Sequence, residues 1–143
     1  MRRFFTIRVS RILVITEGSL VLVQRSSDLK WEIPGGKLKR SEDYARAAYR
    51  ELWEETGIRM RGCSLICRRE RELPHGESWV GTRYFTASSW ETPAELRAQD
   101  TDEIIRAACC PLADLPFMDL TERTREALQE EKIASLMTHD SST

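Results

Sequence analysis

Three glutamates, Glu51, Glu54 and Glu55, stand at i, i+3 and i+4 in a stretch with helical periodicity. At that spacing their side chains project from neighbouring positions on one helix face. Carboxylates held so close repel one another and raise each other's pKa, so the cluster costs stability unless cations neutralise it. Arg50 is the adjacent base in sequence. A hard divalent cation does the task better, because Mg²⁺ takes oxygen ligands and keeps several waters for chemistry. Mn²⁺ suits the same ligands. The preceding loop adds oxygen: the carbonyl of Gly35 or Gly36 could reach the same ion, since a residue without Cβ lets the backbone approach closely.

The acids need a rigid carrier. Ser41 reads as an N-cap, with Glu42 and Asp43 in the first turn where the helix dipole favours anions. Gly57 reads as the C′ residue that takes a left-handed conformation and ends the helix. About fifteen residues lie between them, or roughly 22 Å of helix. Tyr44, Ala48 and Leu52 fall at i, i+4 and i+8 and form an apolar stripe, which Ala45 and Tyr49 widen.

Gly36, Glu42, Arg50-Glu51-Leu52, Glu54-Glu55 and Gly57-Ile58, at these spacings, resemble the complete signature of the Nudix hydrolases. Trp31-Glu32-Ile33-Pro34-Gly35-Gly36 is similar to the segment that packs beside the active site in that family. The resemblance implies a pyrophosphohydrolase that cleaves a nucleoside diphosphate linked to another moiety, by water attack on phosphorus with the help of Mg²⁺ or Mn²⁺. By the family pattern, Glu51 and Glu55 would be direct metal ligands, and Glu54 a ligand or the base that takes the water proton. Gly36 would add its carbonyl. Arg50 would orient the acids, pairing with Glu54 at i+4 or reaching back to Glu42, itself a capping or supporting acid. A further acid is expected from the loop before the last strand, where Asp100, Asp102 and Glu103 are candidates. Glu103 fits the register best, six residues before Cys109, a position where relatives often carry Trp.

The 143 residues suffice for one domain burying roughly two-thirds of its unfolded surface. The expected organisation is a single Nudix hydrolase domain over 1–138 and a short polar tail over 139–143. The net charge of -1 gives no overall field toward membrane or nucleic acid and argues against a large duplex-binding surface. Four cysteines, Cys63, Cys67, Cys109 and Cys110, lack paired metal-site spacing and read as free thiols of a reducing cytoplasm. One of the neighbours Cys109 and Cys110 is expected to point inward from a strand. Thr6 to Arg11 interrupts any signal-like apolar run after Phe5. No apolar run approaches a membrane span.

Phe5 to Thr16, Leu20 to Gln24, Trp31 to Ile33, Arg61 to Arg71, Ser78 to Ala87 and Glu103 to Cys110 read as strands. The first two form a hairpin around Glu17-Gly18-Ser19. Leu73 to Glu77 reads as a turn, and Ser88 to Asp102 as polar loop with a turn of helix near Ala94 to Ala98. Pro111 to Pro116 resembles the family's segment before the last helix. Thr121 to Met137 reads as helix capped by Thr121, with Leu128, Ile133 and Leu136 on its apolar face. The fold class is α/β: a Nudix-type α/β/α sandwich with a mixed β-sheet.

The expected substrate is a nucleoside triphosphate, ordinary, oxidised or non-standard, because Gln24-Arg25-Ser26 followed by Trp31 is similar to the small nucleotide-sanitising members. ADP-ribose or a nucleotide sugar is the alternative. A nucleotide-binding regulatory module without catalysis is the second class, disfavoured by the intact acid set. RNA 5′-end processing is a third. Trp79, Tyr84, Phe85, Trp90 and Phe117 could stack a base or fill the core. The expected partner is thus a small nucleotide, with no membrane. Small members of the family are often dimers, so a homodimer is also expected.

Overall fold

Neighbouring residues on the strands face opposite layers, and this alternation sets the architecture. The computed structural model describes residues 5–61, 65–87, 89–100 and 102–130. Ten strands and two α-helices follow one another: β1 (Phe5–Leu13), β2 (Ile15–Thr16), β3 (Ser19–Arg25), β4 (Trp31–Glu32), β5 (Gly35–Lys37), α1 (Tyr44–Thr56), β6 (Arg59–Met60), β7 (Leu65–His75), β8 (Ser78–Ala87), β9 (Trp90–Glu91), β10 (Ile104–Pro111), a 3₁₀ turn (Leu112–Phe117) and α2 (Glu122–Glu130). On β1, Ile12 enters one apolar cluster and Leu13 another. β3 splits Val21 from Leu20 and Leu22 in the same way, and β8 splits Phe85 from Tyr84. Ala48 and Leu52 of α1 close the cluster around Ile12, Val21 and Phe85. Ala127 of α2 closes the cluster around Leu13, Leu20, Leu22 and Tyr84. A period of two thus buries both faces of the strand layer, and one helix covers each face.

The strands form a mixed sheet in the order β5-β1-β8-β7, in which β1 and β8 run parallel and the other pairs antiparallel. A second sheet has the order β10-β3-β2, with β4 also paired to β3. β6 and β9 form a separate two-stranded ribbon. The hairpin between β2 and β3 turns on Glu17 and Gly18, both with positive φ (44° and 79°), which matches the strand twist. No helix among the described residues is long and apolar enough to cross a membrane.

Several elements differ from the sequence reading. The run expected as one strand from Phe5 to Thr16 breaks at Val14, so that β1 joins the mixed sheet and β2 the second one. Gly35 and Gly36, expected in a loop, form strand β5 against Arg11 and Ser10. A Cβ on Gly35 would stand 2.0 Å from the Ser10 carbonyl oxygen, so only glycine permits this pairing. β7 continues to His75 and the turn is confined to Gly76-Glu77. Pro74 is tolerated there because β7 is an edge strand. No helix forms over 94–98. Residues 62–64, the helix beyond Glu130 with Ile133 and Leu136, and the tail 139–143 lie outside the described residues.

Helix α1 starts two residues later than the Ser41 cap implied. Asp43 is the N-cap, and its carboxylate accepts from the Arg46 N–H at 2.8 Å. Glu42 and Asp43 therefore precede the first turn. Ser41 sits at φ 67°, in the left-handed region that a Cβ disfavours. Gly57 ends the helix as expected, at φ 82°, with its N–H donating to the Trp53 carbonyl. Ala47 is fully buried, while Ala45 and Tyr49 lie half-buried at the margin of the stripe. Thr121 caps α2 through the Thr124 N–H.

The two cap candidates are separable by urea denaturation. Asp43→Ala is expected to lose about 1 kcal/mol with the loss of the cap bond. Ser41→Gly is expected to gain roughly 0.5–1 kcal/mol by relieving the left-handed strain. The reverse ranking would restore Ser41 as the cap.

Candidate active site

Arg50 binds more partners than any other side chain near the acids. Its Nε and Nη2 donate to the two oxygens of Glu42 at 2.8 and 2.9 Å, a fork-to-fork pair. Its Nη1 donates to Glu51 at 2.7 Å and to Glu54 at 3.1 Å, and Nη2 also donates to the Lys37 carbonyl at 3.1 Å. Both expected pairings of Arg50, forward to Glu54 and back to Glu42, therefore occur together. Glu42 also accepts from the Lys39 N–H at 2.9 Å. The Arg50 guanidinium, with that N–H, holds the Glu42 carboxyl down at about 2.

Glu55 lies on the buried side of α1, 4% exposed. Its carboxylate accepts from the Gly35 N–H at 2.8 Å. Burial pushes its pKa up to about 9, against the pull of that N–H and of Arg11. Burial also raises Glu51, opposed by Arg50. Gly36 stands directly on Glu51: a Cβ there would come within 2.7 Å of the carboxyl. The glycine pair thus serves two acids, Gly35 by an N–H and Gly36 by leaving room.

The acids of the later loop reach this place through the end of α1. The Glu54 carbonyl, unpaired within the helix as the last carbonyls are, accepts from the N–H groups of Gln99 (2.6 Å) and Asp100 (3.1 Å). The Thr56 carbonyl accepts from Arg97. Residues 97–100 are thereby docked on the acid-bearing helix. Ser26 pins the next two residues, donating from its N–H to the Glu103 carbonyl and from its hydroxyl to that of Asp102. Glu51, Glu54, Glu55, Asp100, Asp102 and Glu103 all line one cavity of about 160 Å³. Sequence reasoning favoured Glu103 among the three loop acids; the structure puts all three there.

That cavity is continuous with a cleft of about 560 Å³, since Glu51, Asp102, Glu103 and Ile104 border both. The cleft adds Arg11, Arg25, Lys37, Lys39 and Arg50. Arg11 is a residue the sequence reading missed as a site candidate. Its Nη1 donates to the carbonyls of Ile33 (3.0 Å) and Gly35 (3.2 Å) and lies 3.6 Å from Glu32. The available signal was a charge between Ser10 and Ile12 on a strand otherwise bound for the core. Of the aromatic candidates, Tyr84 borders a neighbouring cavity, Phe85 and Trp90 pack against α1, and Phe117 is 90% exposed. Cys109 is exposed on β10 and Cys110 is buried. Burial pushes the Cys110 thiol up to about 11, so it stays protonated at neutral pH.

Among the described residues no three His, Cys, Asp or Glu groups stand as a ready-made metal cage. Arg50 Nη1 bridges Glu51 and Glu54, at 2.7 and 3.1 Å. The donor set nevertheless fits a hard cation. It consists of carboxylate oxygens around one small cavity, and the Gly36 cradle that a Cβ would fill borders Glu51.

The Glu55 shift has a sign that can be checked. Its folded pKa, about 9, lies above the ordinary 4.5. The folded state therefore keeps a proton that the unfolded state releases, and stability falls as pH rises from about 4.5 toward 9. Glu42 acts oppositely: its contribution is present above about 4.5 and is lost as pH falls toward 2. In chelator, Glu55→Gln should raise the urea midpoint at pH 8 and flatten the alkaline decline. An unchanged alkaline slope would show that Glu55 is ionised in the folded state.

A family model described as NUDIX domain matches residues 6–130. A MutT-like protein of Streptomyces ambofaciens is 32% identical over 104 residues, covering 64% of this chain and 66% of that protein. An RNA pyrophosphohydrolase of Psychrobacter cryohalolentis is 37% identical over 62 residues, covering 43% of this chain and 36% of that protein. The chain thus spans between 36% and 66% of the length of these two relatives. The crystal structure of a MutT NUDIX hydrolase from Burkholderia pseudomallei superposes with a TM-score of 0.69 at 26% identity, covering 85% of this chain and 95% of that one. With the helix, the glycine strand and the acids at the positions the signature requires, the chain belongs to the Nudix hydrolase family.

Proposed function

We propose that the protein hydrolyses the pyrophosphate linkage of a nucleoside diphosphate joined to another moiety, a nucleoside triphosphate first of all, in the presence of Mg²⁺ or Mn²⁺. The observation that carries this reading is the shared border of the acid cavity and the basic cleft. Six carboxylates face one end and five bases line the other, so an anionic chain can lie along the bases with one phosphorus at the acids.

Bound at Glu51, Glu54 and Glu55, with the Gly36 carbonyl as a further ligand, a divalent cation would screen the phosphate oxygens and acidify water. The chain's own residues do the rest. Arg11, Arg25, Lys37 and Lys39 orient the phosphates by charge. A water oxygen forms a bond to one phosphorus while the bridging oxygen leaves with the other phosphate. Glu54 or Glu103 takes the water proton. Glu54 is the better placed for turnover: at 26% exposure its carboxylate is open to solvent, whereas Glu55 is enclosed. Arg50 holds Glu54 and Glu51 apart at fixed positions and acts as a positioning residue.

The names of the relatives support a phosphoric-anhydride substrate without choosing one. The RNA pyrophosphohydrolase relative makes a 5′-triphosphate end the second reading, and ADP-ribose or a nucleotide sugar the third. Free thiols and the absence of a spanning helix among the described residues suit a cytoplasmic setting.

The test is a panel with Mg²⁺ that reads pyrophosphate and phosphomonoester products from ordinary and oxidised nucleoside triphosphates, a 5′-triphosphorylated oligonucleotide, ADP-ribose and nucleotide sugars. Glu54→Gln should lower turnover by about two to four orders of magnitude with an intact fold. Near-normal turnover in that variant would remove Glu54 from the mechanism. Mg²⁺ should also raise the Tm of the wild type more than that of Glu51→Gln/Glu55→Gln. Equal shifts would place the ion elsewhere. Silence across the panel, with Mg²⁺ still bound, would point first to a substrate outside the panel and then to the regulatory module.

A further inference from the structure

The basic cleft contains an acid that takes no part in the proposed hydrolysis. Glu32 borders the cleft and an adjoining cavity of about 470 Å³, but it does not line the acid cavity of Glu51, Glu54 and Glu55. It is 9% exposed. A carboxylate beside a path for phosphates repels them, and burying one is unfavourable unless cations compensate it.

The compensation comes from two sides. Glu32 Oε1 lies 3.6 Å from Arg11 Nη1, and Oε2 lies 3.9 Å from Arg25 Nη1. Arg11 and Arg25 are also the other residues that border both spaces. They come from different sheets, Arg11 from β1 of the mixed sheet and Arg25 from the end of β3 in the second. Glu32 is carried by β4, opposite Val23 of β3. One carboxylate thus stands at the seam of the two sheets, with one oxygen toward each guanidinium.

Both separations are too long for hydrogen bonds, so Glu32 attracts the arginines without occupying their donors. Arg11 uses Nη1 for the carbonyls of Ile33 and Gly35. Arg25 uses Nε and Nη2 for Asp28, at 3.1 and 2.7 Å. Among the described residues Arg11 Nε and Nη2 and Arg25 Nη1 make no hydrogen bond. Two guanidiniums brought to one place repel each other, and their long side chains gain entropy by moving apart into solvent. The acid between them offsets that repulsion, as Arg50 does between Glu51 and Glu54.

We infer that Glu32 is a positioning residue: it sets Arg11 and Arg25 at the spacing in which their free donors meet the oxygens of a substrate's diphosphate. The inference rests on the phosphate reading of the cleft.

Charge and position predict opposite results. Were Glu32 only a charge, Glu32→Gln would strengthen anion binding by removing a like charge, and Glu32→Asp, which keeps the charge, would leave it unchanged. If Glu32 positions the arginines, both variants bind anions more weakly. Gln no longer attracts the guanidiniums, and Asp draws the carboxylate back by one methylene.

Calorimetry with Mg²⁺ reads the binding of two uncleavable probes, adenosine 5′-(α,β-methylene)diphosphate and methylenediphosphonate, with the fold of each variant checked by urea denaturation. Both variants should bind both probes at least about five-fold more weakly than the wild type. In an Arg11→Gln/Arg25→Gln background, adding Glu32→Gln should change affinity by less than about two-fold, because the groups it acts through are gone. Should Glu32→Gln not fold, Glu32→Asp decides alone, in the wild type and in that background. Unchanged or tighter binding in a folded Glu32 variant, a loss confined to the nucleoside probe, or a loss that persists without the two arginines would overturn the inference. A wild type that binds neither probe would remove the phosphate reading of the cleft, and the inference with it. Wild-type binding that the Glu32 variants match would remove the inference alone.

Discussion

One guanidinium holds three carboxylates and a backbone carbonyl in register. Arg50 joins Glu42 to Glu51 and Glu54 while resting on Lys37. Its planar fork explains the choice of residue, because lysine offers a point charge that cannot bind one carboxylate edge-on and two others at once. The pairing with Glu42 spans the connection between β5 and α1, so the same contact that spaces the acids also fixes how the helix enters the site. Removing the charge would leave several carboxylates facing one another at low exposure, where unpaired charges are expensive. A divalent cation bound at Glu51 and Glu54 would therefore share its ligands with an internal cation.

The second constraint is the close approach of β5 to β1. Gly35 can pair with Arg11 only because it lacks a Cβ, and that pairing aims its N–H at the enclosed Glu55. Burying a carboxyl is unfavourable, and the site stores that cost in Glu55. At the other end of α1, the unpaired carbonyls do constructive work. Glu54 and Thr56 receive the N–H groups of 97–100, which brings Asp100, Asp102 and Glu103 back to a helix some fifty residues earlier in the chain. The helix thus organises both sets of acids, one by its face and one by its end.

Local chemistry made the acid face, the Gly57 stop, the Thr121 cap and most strands legible in the sequence. They depend on periodicity or on residues whose conformational preference is strong. The N-terminal cap was misplaced at Ser41, because Ser41 and Asp43 are both good capping types and the backbone conformation that separates them is not local to either. The glycine strand was hidden because two glycines read as a loop unless the partner strand is known. Which loop acid reached the site depended on long-range hydrogen bonds, and all three did. The aromatics were ambiguous for the same reason: Phe85 and Tyr84 are neighbours, yet one lies in the α1 core and the other borders a cavity.

The distribution of charge along the site would couple a bound nucleotide to a bound cation. Glu51, Asp102 and Glu103 border the cleft in which a nucleotide's phosphates would lie. Phosphates brought there meet carboxylates of their own sign, in a partly enclosed space where charges are poorly screened. A cation at the acid cavity would remove that repulsion and add attraction, while a phosphate oxygen would offer the cation a further hard ligand. Each would therefore strengthen the other, and by linkage the factor would be the same in both directions. Arg50 sets the baseline: it pairs with Glu51 and Glu54, while Asp100, Asp102 and Glu103 face the same cavity without it, so the site is short of positive charge that a bound ion would supply.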